Sequence, residues 1–202
     1  MPAPDWFATT LNRELANWVC LSETQISQLY QHYDLLLRWN QRMNLTTVKP
    51  GSEMVIRHYC ESLIFAAHLP TQGERISVLD LGSGAGFPGI PMAVLKPDWH
   101  LTLIESVQKK AVFLRESSRH LRNVRVLAQR IGDIQEHGDW VVSRAVDPQE
   151  VLRSVPRLAP NVGLMLAEDD FSLIRADSRI AWREPIRLPW GDRRICVFGG
   201  SA

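Results

Sequence analysis

Residues 78–91 read VLDLGSGAGFPGIP. A short apolar run ends in three glycines at alternate positions, Gly82, Gly84 and Gly86, and Pro88 and Pro91 follow. Few folds accept such a stretch. Glycines at the end of a buried strand let the chain turn tightly and let a ligand lie against bare backbone amides. Proline is tolerated in the first turn of a helix, whose N-terminus offers a positive potential to an anionic group. The pattern therefore predicts strand, glycine turn and helix, the opening unit of a Rossmann-like α/β sheet that holds its ligand at the strand ends.

The rest of the chain supplies the matching elements. Strand-like apolar runs fall at 76–81, 101–105, 124–128, 140–144 and 162–167, and helix-compatible stretches at 88–96, 107–121 and 148–159 lie between most of them. Apolar strands alternating with helices imply a parallel sheet with right-handed crossovers. Near the end the alternation stops. Two runs, 179–188 and 193–198, are joined by the turn Pro189-Trp190-Gly191-Asp192 and predict a terminal antiparallel hairpin. Ahead of the sheet, residues 22–40 have helical periodicity behind a capping box of Ser22 and Gln25, residues 5–20 suggest a shorter helix, and Ser52 is placed to cap a third. The expected organisation is an N-terminal helical cap, 1–72, and a ligand-binding domain, 73–202, in one unit.

A chain of 202 residues can bury a real core without staples. Cys20, Cys60 and Cys196 form no CxxC pair, which fits a reducing compartment and excludes a zinc or disulfide framework as the organising device. No metal-ligand spacing appears among the histidines. No apolar run reaches membrane-span length, and the N-terminus lacks the basic and apolar regions of a signal peptide, so a cytoplasmic protein, monomeric by default, is expected. Net charge is +1, which does not by itself announce a nucleic-acid binder. Charge is uneven, however: between Lys109 and Arg130 stand seven basic residues (Lys109, Lys110, Arg115, Arg119, Arg122, Arg125 and Arg130) and one acid, Glu116. Such a run is either a solvated helix face or a phosphate-contacting patch.

Three details narrow the ligand. The spacing is GxGxG, and Phe87 stands where a dinucleotide-binding GxGxxG has its third glycine, the one that permits close helix–strand packing. Asp80 lies two residues before the first glycine, awkward for a pyrophosphate but useful to an ammonium group. Glu105 ends the second strand, where an acid can accept from ribose hydroxyls. Asp80 also reads as a turn-capping residue and Glu105 as a solvated strand end. An ammonium group, a carboxylate and a ribose on one ligand describe S-adenosylmethionine.

The segment DLGSGAGFPGIP (80–91), with NLTTV (44–48), RHYCESL (57–63), KKAVFLRE (109–116) and SRAV (143–146), resembles in the same order the glucose-inhibited division protein B family. The resemblance covers about residues 20–198. It implies a class I methyltransferase fold: a mostly parallel seven-stranded sheet with an antiparallel C-terminal hairpin and an N-terminal helical cap. It also implies methyl transfer from S-adenosylmethionine to N7 of one guanine in 16S ribosomal RNA, on the RNA or the small ribosomal subunit, without a metal. Carried over residue by residue, it places Gly82 and Phe87 in the methionine loop with Asp80, Ser83, Gly84 and Gly86. Glu105 takes the ribose, Ile131 and Gly132 bracket adenine, and Arg144 stands at the face shared by cofactor and substrate. Arg144 and Asn44 are the candidate catalytic residues, with Thr46 beside Asn44 at the substrate mouth. Arg57, Lys109, Lys110, Arg115 and Arg130 are candidates for RNA contact. Arg144, Asn44 and Thr46 also have plain structural readings, as a salt-bridged strand end and as loop caps, and His58 reads as structural. The chain departs from the family at Gly132-Asp133, at Glu61-Ser62, and at the end of strand five. There the family usually has Leu-Lys-Gly, and this chain has LMLAEDD with Glu168, Asp169 and Asp170.

Guanine N7 bears an in-plane lone pair and no proton, so the attack needs no general base, only alignment and exclusion of water. The absence of a His/Asp dyad or a nucleophile elbow agrees with that. N7 lies on the major-groove edge, inaccessible in A-form RNA, so the target base should sit in a loop or be splayed out. Acids facing phosphates cost affinity. The AEDD segment and the small net charge thus keep open a methyltransferase for another RNA or a small molecule, and a cofactor-binding protein without turnover.

Overall fold

A computed structural model describes residues 2–71, 73, 75–191 and 193–202. Gln72, at the expected boundary between cap and domain, and Asp192, in the expected hairpin turn, lie outside the described residues. The order is α1 (Asp5–Leu15), α2 (Glu23–Asn40), α3 (Ser52–Met54), a π-helical turn (Val55–Cys60), α4 (Glu61–His68), β1 (Ser77–Leu81), α5 (Gly89–Leu95), β2 (His100–Ile104), α6 (Gln108–Ser117), β3 (Val124–Leu127), β4 (Trp140–Arg144), α7 (Pro148–Leu158), β5 (Asn161–Ala167), α8 (Glu168–Ile174), β6 (Ile180–Trp182), β7 (Ile186–Arg187) and β8 (Arg194–Ser201).

The strands form one sheet in the order β3-β2-β1-β4-β5-β8-β6, with β7 also on β8. The first five are parallel, and β8 runs antiparallel to β5, β6 and β7. The order reverses between β1 and β4, and an open α/β sheet offers its crevice at that switch point. Seven positions across the sheet are filled, as expected, but by eight strands. The run 179–188 is broken between β6 and β7, where Pro185 has no amide to donate to the ladder.

Helices cover both faces. One cluster packs Phe7, Leu29, Tyr33, Tyr59, Phe65 and Phe113 against the sheet, so α1, α2, α4 and α6 share a core with β1 and β2. The other holds Val151 and Val155 of α7 and Phe171 of α8. Each fully buried large side chain contributes roughly 1.5–3 kcal/mol. The capping box that opens α2 is present: Ser22 Oγ accepts from the Gln25 amide at 3.2 Å, and Gln25 Oε1 accepts from the Ser22 amide at 2.9 Å. Two expectations are corrected. α1 ends at Leu15 in a turn closed by the Trp18 and Val19 amides, not near residue 20. Ser52 does not cap a helix; it is the first residue of α3. Gly51 precedes it at φ 106°, its amide donating to Tyr33 Oη at 2.8 Å. The acids after β5 open a helix, α8, where carboxylates in the first turn complement the helix dipole.

Candidate functional site

Asp80, inside β1, is fully buried. Its Oδ2 accepts from the Gly89 amide at 3.1 Å, and its Oδ1 has no partner among the described residues. Burial pushes this carboxyl up to about 7. It lies beneath the glycine turn rather than in the crevice wall. A Cβ on Gly89 would fall on the Leu103 side chain and on the Asp80 carboxylate. Gly89, not position 87, is therefore the glycine that lets helix and strand approach, and the sequence reading missed it.

Most of the turn's amides are spent inside the protein. Those of Gly82 and Ser83 donate to the Ile104 carbonyl at 2.9 and 3.0 Å, and those of Gly86 and Phe87 to the Ser83 carbonyl. The Gly84 amide donates to Glu105 Oε2 at 3.0 Å, and the other Glu105 oxygen accepts from the Val107 amide at 2.8 Å. A ligand thus meets mainly carbonyl and Cα edges, with fewer free amides than the glycine pattern suggests. That suits a cationic group better than a pyrophosphate, which needs donors. Gly84 sits at φ 56°, and a Cβ there would meet only the Gly82 carbonyl oxygen, at 3.7 Å. The space over Gly84 is the cradle that glycine keeps clear.

Phe87 is in the core, stacked on His58 with ring centroids 4.6 Å apart and planes at 24°. His58 Nε2 lies 2.7 Å from Thr46 Oγ1, which accepts from the Val48 amide. Burial, then the Arg144 charge, lowers His58 to about 3, so the ring is neutral. His32 is neutral for the same first reason. Its Nε2 faces the Ala85 carbonyl at 3.0 Å and must carry the proton, so Nδ1 accepts from Tyr59 Oη at 2.7 Å. The loop before α3 is latched by Asn40, whose Oδ1 accepts from the Leu45 and Thr46 amides and whose Nδ2 donates to the Thr46 carbonyl. Thr46 caps the loop as one of its two readings has it, Asn40 does so as well, and nothing in the sequence singles out Asn40 for that task.

Arg144 ends β4, and Ala145 follows at φ 63°, a strained position for a residue with a side chain. Arg144 Nη2 lies 3.3 Å from Glu61 Oε2, and Arg194 Nη2 lies 2.8 Å from the same oxygen. Burial lowers the Arg144 guanidinium to about 10 while Glu61 opposes the shift, so it stays cationic at neutral pH. Ala167, which closes β5, stands opposite Arg194 in the ladder. The acids that follow it do not face the crevice bare: Glu168 pairs with Arg187 at 3.0 Å and Arg193 at 3.3 Å, and Asp169 with Arg193 at 2.9 Å.

These groups meet in a crevice of about 250 Å³ at the β1–β4 switch point. Of the sequence candidates, Gly82, Ser83, Gly84, Phe87, Glu105, Lys110 and Arg144 line it. Leu45, Thr46, His58, Ala85 and Ala145 complete the wall. Gly86 is turned inward, toward Ile90 and His32. Ile131 and Gly132 form a 3-10 turn after β3, outside the lining, where the Ile131 carbonyl accepts from Arg157 at 2.9 Å. Asn44 is exposed beside the lining residues Leu45 and Thr46. Arg57 lies on the π-helical turn, 3.6 Å from Glu53. Lys109 and Arg115, on α6, and Arg130 are exposed. A larger cavity, about 630 Å³ between α1 and α2, contains none of these groups.

Among the described residues, no group of three or more His, Cys, Asp or Glu side chains is placed to hold a metal. Among them, too, no helix is long and apolar enough to cross a membrane. A nucleoside with a cationic tail fits what is present. The clear space over Gly84 admits it, the Gly82 carbonyl stands beside that space, and Glu105 retains lone pairs for hydroxyls.

Residues 25–167 match a family model described as rRNA small subunit methyltransferase G. A protein of Nitrosomonas europaea named ribosomal RNA small subunit methyltransferase G is 39% identical over 135 residues, 65% of this chain and 61% of that protein. Its namesake in Enterobacter sp. is 37% identical over 131 residues, 63% and 61% of the two chains. The match thus spans about 61% of these relatives' own length. Among solved structures, an Aquifex aeolicus SAM-dependent methyltransferase superposes with TM-score 0.61 at 16% identity, over 77% of this chain and 95% of that one. A fibrillarin/Nop5p complex gives TM-score 0.59 at 20% identity, over 77% and 87%. At those identities they establish the fold, a Rossmann-like methyltransferase sheet.

Proposed function

Since the chain belongs to the GidB family, rRNA small subunit methyltransferase G, we propose that it moves a methyl group from S-adenosylmethionine to N7 of a guanine in 16S ribosomal RNA, as a cytoplasmic monomer acting on the RNA or the small subunit. The observation that carries this is the glycine turn with most of its amides satisfied internally and its Gly84 face clear, between Glu105 on one side and Arg144 on the other.

When bound, S-adenosylmethionine supplies an electrophilic methyl on a sulfonium centre. Gly82, Ser83 and Gly84 cradle its amino-acid end, and Glu105, already fixed by two backbone amides, accepts from the ribose. No residue of the chain has to remove a proton, because N7 has none. His58, neutral through the whole physiological range, positions rather than titrates: it holds Thr46 and backs Phe87. Arg144 donates toward guanine O6 and leaves N7 free, since O6 and N7 are both acceptors on that edge. Leu45, Thr46 and Ala145 close the wall against water. Holding two reactants in near-attack geometry is worth roughly 7–11 kcal/mol, enough to be the main catalytic term. The pairing of Glu168 and Asp169 with arginines weakens the first of the two reasons for a small-molecule substrate, and the small net charge stays as it was.

The test is transfer of labelled methyl to unmodified 16S RNA or small subunits, the position mapped by chemical cleavage at 7-methylguanosine. RNA that stays unlabelled while the cofactor binds normally would refute the proposal.

A further inference from the structure

The cluster around Glu61 is not a closed ion pair. Glu61 is 2% exposed, and its Oε2 faces one guanidinium from β4 and another from β8. The charge of Arg57 bears on Arg144 as well. Burial pushes the Cys60 and Cys196 thiols up, so neither of these two neighbours adds a negative charge. Arg144 and Arg194 keep 11% and 23% of their side-chain surface exposed. Yet Arg144 Nη1 and Arg194 Nε are buried and have no acceptor among the described residues. A buried donor left without a partner costs about 1–3 kcal/mol, and more when charged. Glu61 Oε2 between them lies at ion-pair distance from both and makes a hydrogen bond with neither, so the three charges are packed together without matched geometry, an arrangement that an added anion would complete.

Position identifies the anion. From Glu105 the sheet runs β2-β1-β4-β5-β8, so Arg194 stands two ladders beyond Arg144, about 10 Å farther from the cofactor end. Its side chain shares a sheet face with that of Ala167, directly opposite. Arg144 itself lines the crevice with His58, so the cluster adjoins the crevice through Arg144.

We propose that Arg194, tied to Arg144 through Glu61, is a substrate-binding residue that seats a phosphodiester of the RNA and fixes the target nucleotide against the crevice, while Arg144 faces the base. A guanidinium fork matches a pair of phosphate oxygens, and the Glu61 carboxylate beside it keeps the Arg194 side chain at the crevice edge. The seat rests on the rRNA reading above.

Binding of 16S RNA is measured against salt for the wild type, Arg194→Gln and Arg194→Lys, with S-adenosylhomocysteine affinity and melting temperature alongside. Loss of one phosphate contact lowers the slope of log K against log salt by about 0.7–0.9. Arg194→Gln is expected to lose about that much, with S-adenosylhomocysteine affinity unchanged. Arg194→Lys keeps the charge but not the fork, so its slope should stay near wild type while the RNA KM rises several-fold at nearly constant kcat. Should the glutamine variant melt too low to assay, the lysine variant decides, and an unchanged KM overturns the seat. A wild-type slope in Arg194→Gln also overturns it, as does lost S-adenosylhomocysteine affinity at an unchanged slope, which would assign the seat to the cofactor's carboxylate. If the wild type itself neither binds nor methylates 16S RNA, the rRNA reading has failed; if it does both and Arg194→Gln matches it, the seat alone has failed.

Discussion

Two carboxylate–arginine clusters lie at the same end of the sheet. Around Glu61 the partners are Arg144 and Arg194, with side chains 11% and 23% exposed. Around Glu168 they are Arg187 and Arg193, 80% and 64% exposed, and Asp169 adds a second carboxylate. The residue types are the same and the setting is opposite. Water screens the outer cluster, so each of its pairs is worth at most about 1 kcal/mol. The inner cluster is desolvated, has more guanidinium than carboxylate, and touches the crevice wall through Arg144. Burial, not the presence of ion pairs, is what makes one of them part of the site.

The comparison breaks first at Glu61. Glu61→Gln leaves two buried guanidiniums without their carboxylate, and about 3–5 kcal/mol of stability should be lost. At roughly 2–4 °C per kcal/mol for a chain of this size, thermal melting would show a drop on the order of 10 °C. Next is Arg144→Ala, which should lower kcat about 10–100-fold, the worth of one charged hydrogen bond, with a smaller change in cofactor affinity. Steady-state rates beside calorimetric titration check it; an unchanged rate makes Arg144 structural only.

The third effect is on pH. His32 and His58 have folded values near 3 against an ordinary 6.5, so the unfolded chain binds more protons between those limits. Stability should fall as pH drops from about 6.5, by about 1.4 kcal/mol per unit for each histidine. Asp80, raised from 3.8 to about 7, works the other way, its contribution being lost as pH rises through that window. The net slope between about pH 4 and 6.5 should be near that of one histidine, read from denaturant titrations at several pH values; a flat profile would contradict the neutral histidines. Gly84→Val touches neither cluster. It should cut S-adenosylhomocysteine affinity tenfold or more by filling the cradle, at a stability cost of about 1–2 kcal/mol for the left-handed backbone. Normal binding would misplace the ligand. Smallest is Glu168→Gln, expected within about 1 kcal/mol of wild type. A melting shift equal to that of Glu61→Gln would erase the distinction between the clusters.

Much of the scaffold was legible in the chain. The apolar runs that became β1, β2, β4 and β5 are buried strands with few polar interruptions, and the glycine turn and capping box are local chemistry. Other features were not local. Nothing in the run 179–188 says that both its halves share β8, and nothing in AEDD says that a helix begins there with its acids paired to β7 and to Arg193. Asn40 and Asn44 look alike in sequence, and only the path of the loop makes one a latch and leaves the other exposed. A GxPG spacing was the available signal for Gly89. For Arg194 there was none, because its partner Glu61 lies far along the chain and its neighbour Ala167 on another strand.

By itself the sequence determined what local sterics and hydrophobic patterning can determine: a strand, a bare turn and a helix that open a parallel sheet, and acids at the two strand ends that flank the turn. Tertiary structure alone decided which polar groups would be desolvated together. The sign and strength of a charge's effect depend on how much water remains around it, and that is set by the packing of α4 and β8 against the strand ends, not by any residue's neighbours in the chain.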